Sequence, residues 1–358
     1  MKTLMFYINS LNKGGAERVL LQLAERFAAQ GYRAVFVTSF RSEDEYPVPE
    51  AVERISMEER NLPQSRLKKN ISRISTLRKL CKEYKPQALI AFMAEPNFRA
   101  VLATCGLPVK TLISVRNVPE KEYAGRLFHF VGKHILPMAD GCVFQTEEAR
   151  LWFPAKLQTK SRIIMNQVSR AFFDESPSQE KKDIHAVGRL NKQKNHAMLI
   201  RAFARLESCG DRLIIHGEGP LRPELEELIK ELGLEGRVLL PGLSSNVPAD
   251  IKGAKIFVLP SDYEGMPNVL LEAMALGLCC IATDCPCGGP GAVIDEGENG
   301  CLIPVGDEAA LTSRLRELLE DEPKRRLMGQ KARESAEAFS PERIFMQWQA
   351  YVEELINN

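Results

Sequence analysis

A chain of 358 residues can form two domains, each large enough to bury its own core, and 44% hydrophobic with 27% charged residues is the balance of an ordinary globular protein. Nine cysteines without framework spacing argue against a disulfide scaffold, and no apolar run approaches a membrane span. The net charge of +1 conceals an asymmetry: residues 1–170 carry 27 Lys and Arg against 16 Asp and Glu, and the remainder carries 21 against 31. The first half is therefore suited to an anionic partner.

In chain order, Met1 to Ile8 is too short for a signal-peptide core and leads into a glycine turn, so Leu4–Ile8 reads as a first strand. A helix from about Ala16 to Gln30 follows, then strands Ala34–Phe40, Ala88–Phe92, Thr111–Val115 and Gly141–Gln145. Between them, Arg66 to Lys85 holds eight Lys or Arg and one Glu. Its apolar residues Leu67, Ile71, Ile74, Leu77, Cys81 and Tyr84 step by three or four, which predicts an amphipathic helix. The polar stretch Ser176 to Asp183 reads as an interdomain connection, setting domains at 1–168 and 169–340. Alternation then restarts, with strands Ile184–Gly188, Arg212–His216, Val238–Pro241, Ile256–Leu259 and Cys279–Thr283, helices between them, and a last helix from Pro341 to Ile356. Short apolar strands alternating with helices predict two parallel α/β sheets.

Four segments at strand ends carry candidate chemistry. Asn12-Lys13-Gly14-Gly15-Ala16 opens the first helix, where paired glycines allow close approach of a phosphate; a plain strand-to-helix turn fits equally, and no G-x-G-x-x-G occurs. In Gly188 to Asn195, Arg189 offers a planar fork and Lys194 a mobile charge, a pair able to neutralise a diphosphate; a charged surface turn is the alternative. Glu264 and Glu272 flank Gly265-Met266-Pro267-Asn268-Val269. Pro267 suits the first helical position, the helix start favours an anion, and Glu272 could accept from a vicinal diol such as a ribose. A solvated loop Glu and a helix-start Glu have the same spacing. Ser114-Val115-Arg116-Asn117 ends a further strand. No Asp-x-Asp is present, and Cys279-Cys280 with Cys285-Pro286-Cys287 lacks metal-ligand spacing, so no metal or other cofactor is expected. The five histidines form no pair with a nucleophile and read as structural. Nucleic acid is a poor partner, since basic and aromatic residues do not cluster.

Together, Gly14 to Arg18, Gly188-Arg189-Leu190 with Lys194, His216-Gly217-Glu218-Gly219-Pro220, and Ser261 to Gly277 resemble the retaining GT-B glycosyltransferases, family 4 in particular, over nearly the whole chain. The resemblance implies two Rossmann-like domains facing a central cleft, with the terminal helix crossing back onto the first. It implies a nucleotide-sugar donor, with UDP the commonest, held by Gly14, Gly15, Arg189, Lys194, Gly217, Leu243, Glu264 to Val269 and Glu272. Catalysis would rest on Glu264, Arg189 and Lys194. Many relatives have a His where this chain has Arg116. Arg116 and Asn117 are therefore candidates for contact with phosphate, sugar or acceptor, and a His-assisted role is in doubt. The basic helix, through Lys68, Lys69, Arg73 and Lys79, suggests an anionic membrane surface or a lipid diphosphate; an ordinary Rossmann helix with a solvated basic face is the alternative. The expected function is transfer of a hexose or N-acetylhexosamine to a polyprenyl-diphosphate-linked glycan by a peripheral protein at the cytoplasmic membrane face. The rivals are a nucleotide-sugar epimerase of the same fold and an inactive nucleotide-binding or lipid-docking module.

Overall fold

The computed structural model describes residues 1–59, 65–176, 178, 180–206 and 210–357, which form two compact units. The first comprises Met1–Asn166 with Glu342–Asn358, the second Gln167–Pro341.

The first unit is built on seven parallel strands: β1 (Thr3–Ile8), β2 (Arg33–Thr38), β3 (Val52–Ser56), β4 (Ala88–Phe92), β5 (Lys110–Ser114), β6 (Gly141–Phe144) and β7 (Ser161–Ile163), in the order β3-β2-β1-β4-β5-β6-β7. The central strands β1 and β4 are buried along their whole length, as expected of a sheet covered on both faces. Helices α1 (Gly15–Ala29), α2 (Arg66–Tyr84) and α3 (Ala94–Thr104) make its crossovers. The C-terminal helix Pro341–Asn357 packs its 342–357 stretch on this unit. Phe345 meets Phe27 edge-on at 5.1 Å, Trp348 lies 5.6 Å from Phe92, and the Cys142 N–H donates to the Tyr351 hydroxyl at 3.0 Å.

The second unit repeats the plan with β8 (Lys182–Val187), β9 (Leu213–His216), β10 (Val238–Gly242), β11 (Ala254–Leu259), β12 (Cys279–Thr283) and β13 (Cys301–Ile303), ordered β10-β9-β8-β11-β12-β13 and parallel throughout. In both sheets the strand order reverses beside the first strand, between β1 and β4 and between β8 and β11. Ligands of such sheets bind beyond the carboxyl ends at that switch.

Three edge strands, β3, β7 and β13, were not predicted. β7 and β13 have three residues each, and Val52-Glu53-Arg54-Ile55-Ser56 lacks a buried run because only one side of it is paired. The orientation of α2 also differs from the periodicity argument. Its buried residues are Arg73, Leu77 and Cys81, whereas Leu67 is 71% and Ile71 60% exposed. Arg66, Lys69, Arg73 and Leu77 share helical spacing as well as the apolar set does, so spacing alone left the rotation of the helix undetermined.

Candidate active site

The carboxyl ends of β8 and β11 hold one connected cluster in the second unit. After β8, Gly188 to Leu190 leads into a short turn, Lys192–Lys194, whose first turn is closed by the Asn191 side chain accepting from the Lys194 N–H. After β11, Pro260 to Pro267 runs into the helix Asn268–Ala275. The Lys194 ammonium donates to Glu264 Oε1 at 2.6 Å, and the Ser261 hydroxyl donates to the same oxygen at 2.7 Å. Gln193 Nε2 reaches the Tyr263 carbonyl at 3.0 Å and Glu264 Oε2 at 3.5 Å, while Asn195 donates to Asp262 at 2.7 Å. Backbone bonds fix the second loop: the Glu264 N–H donates to the Pro286 carbonyl at 2.8 Å and the Cys287 N–H to the Glu264 carbonyl at 2.9 Å. The charged pair is thus mostly out of water, with Lys194 16% and Glu264 9% exposed at the side chain, and its carboxylate is held by three groups. An ion pair in such surroundings is set by geometry rather than by flexible surface attraction.

Two glycines allow the loops to approach. Gly217 has φ +150°, and a Cβ there would lie 2.0 Å from the Gly188 carbonyl oxygen. A Cβ on Gly289 would lie 1.9 Å from the Gly265 carbonyl oxygen and 2.9 Å from the Pro267 ring.

The other predicted donor residues are distributed around this cluster. Arg189 is exposed at the end of β8, with no side-chain partner among the described residues that would divert it from a ligand. Glu272 is buried within the helix Asn268–Ala275, Met266 is buried, and Leu243 is exposed just after β10. Pro267 is the N-cap rather than the first helical residue: its ψ of 101° is extended, so the helix begins at Asn268. Gln193, Asp262 and Gly289 were missed as site residues, because each meets a partner far away in sequence; Ser261, three residues before Glu264, was missed although its spacing is local. Burial pushes His196 down to about 4, with Lys194 adding to the effect, and pushes the Cys285 thiol up to about 12. Neither a charged imidazole nor a thiolate therefore stands beside the cluster at neutral pH.

In the first unit, Gly14 caps α1 and Gly15 begins it. The Glu17 carboxylate folds over Gly14, 2.3 Å from where a Cβ would stand, and burial raises its pKa. Arg116, at the end of β5, lies 4.6 Å from the Phe92 ring centre, donates to Asn166, and is lowered to about 9 by burial. Asn117 accepts from the Val118 N–H at 2.9 Å, a local turn contact.

Lys68 and Lys79 are exposed on α2. Arg73 is not a surface charge: it is 4% exposed and pairs with Glu58 at 2.9 Å. It lines, with Arg66, Lys69, Asn70, Glu95, Arg99, Asn9 and Phe40, a cavity of about 320 Å³ beyond the carboxyl ends of β1 and β2. Arg99 is 1% exposed and held by Glu95 at 2.5 Å, Asn9 at 2.7 Å and Asn70 at 2.7 Å. Four cations line this space; Glu95 pairs with Arg66 and Arg99, and Glu58 with Arg73, so two carboxylates stand against four positive charges.

Two parallel sheets of this order, with a lysine–carboxylate cluster at the switch of the second, define the GT-B architecture. The chain belongs to the group 1 glycosyltransferases: the model described as "Glycosyl transferases group 1" matches residues 168–335 and that described as "Glycosyl transferase 4-like domain" matches residues 14–165. It is 30% identical, over 96% of its own length and 97% of the relative's, to the N-acetylgalactosamine-N,N'-diacetylbacillosaminyl-diphospho-undecaprenol 4-alpha-N-acetylgalactosaminyltransferase of Campylobacter jejuni. It is 27% identical, over the full length of both chains, to the same organism's GalNAc-alpha-(1->4)-GalNAc-alpha-(1->3)-diNAcBac-PP-undecaprenol alpha-1,4-N-acetyl-D-galactosaminyltransferase. Among solved structures, Anabaena Alr3699/HepE in complex with UDP superposes with a TM-score of 0.82 at 19% identity, covering 99% of this chain and all of that one, a likeness of fold.

Proposed function

We propose that this glycosyltransferase moves an N-acetylhexosamine or hexose, with retention and without a metal ion, from a UDP-sugar to a polyprenyl-diphosphate-linked glycan in polysaccharide or glycan assembly. The observation that carries the reading is the Lys194–Glu264 pair at the carboxyl ends of β8 and β11, with Arg189 exposed at the first of those ends. Lys194, Arg189 and the amino-terminal end of the helix Asn268–Ala275 would hold the donor diphosphate. As the bond from the anomeric carbon to the β-phosphate oxygen breaks, negative charge grows on that oxygen, and cations already fixed there favour the transition state over the ground state. The acceptor hydroxyl attacks from the same face, and its proton passes to the departing phosphate oxygen. Glu264 would orient the sugar hydroxyls and hold Lys194 in place; Glu272 would accept from the ribose diol.

The acceptor reading is supported by the cation-lined cavity of the first unit, which fits a diphosphate, and by the two relatives whose names specify diphospho-undecaprenol acceptors. Peripheral membrane contact at the cytoplasmic face is supported by Leu67 and Ile71 of α2 and by Leu127 and Phe130, all exposed, around a bridge in which the Arg66 guanidinium lies 4.9 Å from the Phe128 ring centre. No helix among the described residues is long and apolar enough to cross a membrane.

Calorimetric titration of UDP, with GDP and ADP as comparators, in excess EDTA tests the donor site. Tight, EDTA-insensitive binding of UDP is expected, and failure of every nucleotide to bind would refute the assignment. Proton NMR of the product's anomeric coupling then checks retention.

A further inference from the structure

A second cavity of interest lies in the second unit at the opposite end of its sheet from the Lys194–Glu264 cluster. It has a volume of about 810 Å³ and is bounded by the amino-terminal ends of β8, β11 and β12 and by the helices Glu308–Glu320 and Glu322–Ala336. Five cations line it: Lys181, Lys255, Arg325, Arg326 and Arg333. Lys255 is paired with Asp211 at 2.8 Å, and the lining carboxylates are Glu320 and Glu322, so two positive charges remain uncompensated.

The remaining cations are oriented by neutral groups. Lys181 Nζ donates to the Lys252 carbonyl at 3.1 Å, Arg325 donates to the Leu318 and Leu319 carbonyls, and Arg333 donates to the Phe173 and Glu175 carbonyls at 2.6 and 3.3 Å. Each keeps N–H groups beyond those bonds. Arg326 has no side-chain partner among the described residues. Burial, with Arg333 adding to it, lowers the Lys181 pKa, the response of an ammonium still short of a counter-anion. Carbonyl dipoles position such cations but do not neutralise them, whereas a phosphate would satisfy the charge and the spare donors together.

We propose that this cavity is a second anion site, binding a small phosphorylated ligand of at least two negative charges. Its volume lies within the range of small-molecule sites. The six residues of β8 separate it from the Arg189–Lys194 loop by roughly 20 Å at about 3.3 Å per residue. Gly277, in its wall, closes the segment that begins with Asn268 in the donor cluster, so the two sites share one helix.

Equilibrium dialysis of the full chain against labelled inorganic pyrophosphate counts the sites. We expect three, the donor cluster, the cation-lined cavity of the first unit and this one; Arg326→Gln combined with Lys181→Met removes this one alone, raising its Kd at least about tenfold while UDP affinity and the melting temperature hold. Arg189→Gln combined with Lys194→Met removes the donor site. A nucleoside diphosphate run as a second ligand tells a nucleotide site, where it binds at the Lys181 cavity, from a free-phosphate site, where only pyrophosphate does. Binding unchanged in the Arg326 and Lys181 variant, whatever the number of sites, overturns the proposal.

Discussion

Replacing Glu264 by alanine tests the architecture of the donor cluster most directly. The substitution removes the carboxylate that accepts from Lys194 at 2.6 Å and from Ser261 at 2.7 Å, and it leaves an ammonium that is only 16% exposed without its counter-charge. Breaking a buried pair by deleting one partner costs about 3–5 kcal/mol. The residual exposure of Lys194 places the cost near the lower end, about 3 kcal/mol. For a domain of this size each kcal/mol shifts the melting temperature by roughly 2–4 °C, so a fall of about 6–12 °C is expected by circular dichroism. Adding Lys194→Met to Glu264→Ala should recover a large part of that loss, because the stranded charge is gone. In the same variant, turnover should fall far more than nucleotide affinity, whereas Glu272→Ala should chiefly weaken nucleotide binding. A melting temperature within about 1 °C of the parent, or a double variant less stable than the single one, would refute the reading of this pair as a buried, mutually dependent unit.

Gly289→Ala should cost about 1–3 kcal/mol and lower turnover, since its Cβ would collide with the Gly265 carbonyl and push the Glu264 turn away; parent-like kinetics would show that the loops are not tightly apposed. Arg73→Ala should lower the melting temperature by stranding Glu58, whereas Lys68→Ala and Lys79→Ala leave stability alone and weaken binding to anionic vesicles, an effect that added salt should reproduce. Equal effects of all three on stability would contradict the rotation of α2. The units should also respond to acid in opposite directions. Burial holds His185 and His196 near 4, below about 6.5 in the unfolded chain, so the second unit binds fewer protons when folded and loses stability as pH falls from 6.5 toward 4, about 2 kcal/mol per histidine at pH 5. Burial raises Glu122 of the first unit to about 7, so its folded form binds the extra proton and gains about 2 kcal/mol over the same fall from neutral pH. Hydrogen exchange at pH 5 and 7.5 resolves the two; protection that falls equally in both units would contradict the assignment.

The sequence by itself determined the two α/β sheets, because fully buried parallel strands such as Ala88–Phe92 and Cys279–Thr283 must be continuous apolar runs. It also placed the glycine turns, Arg189, Lys194 and Glu264 beyond strand ends, the positions that any such sheet presents to a ligand. Tertiary structure decided which groups meet: Lys194, Gln193 and Gly289 meet Glu264, Tyr263 and Gly265 through contacts that no local spacing encodes. It decided that Arg73 turns inward while Leu67 and Ile71 face out, because a helix with two stripes of similar spacing takes its rotation from what it packs against. The edge strands β3, β7 and β13 are likewise products of pairing rather than of composition. Local propensity and periodicity fix an element and its place in the fold; contacts between residues far apart in the chain fix its rotation, its edges and its chemistry.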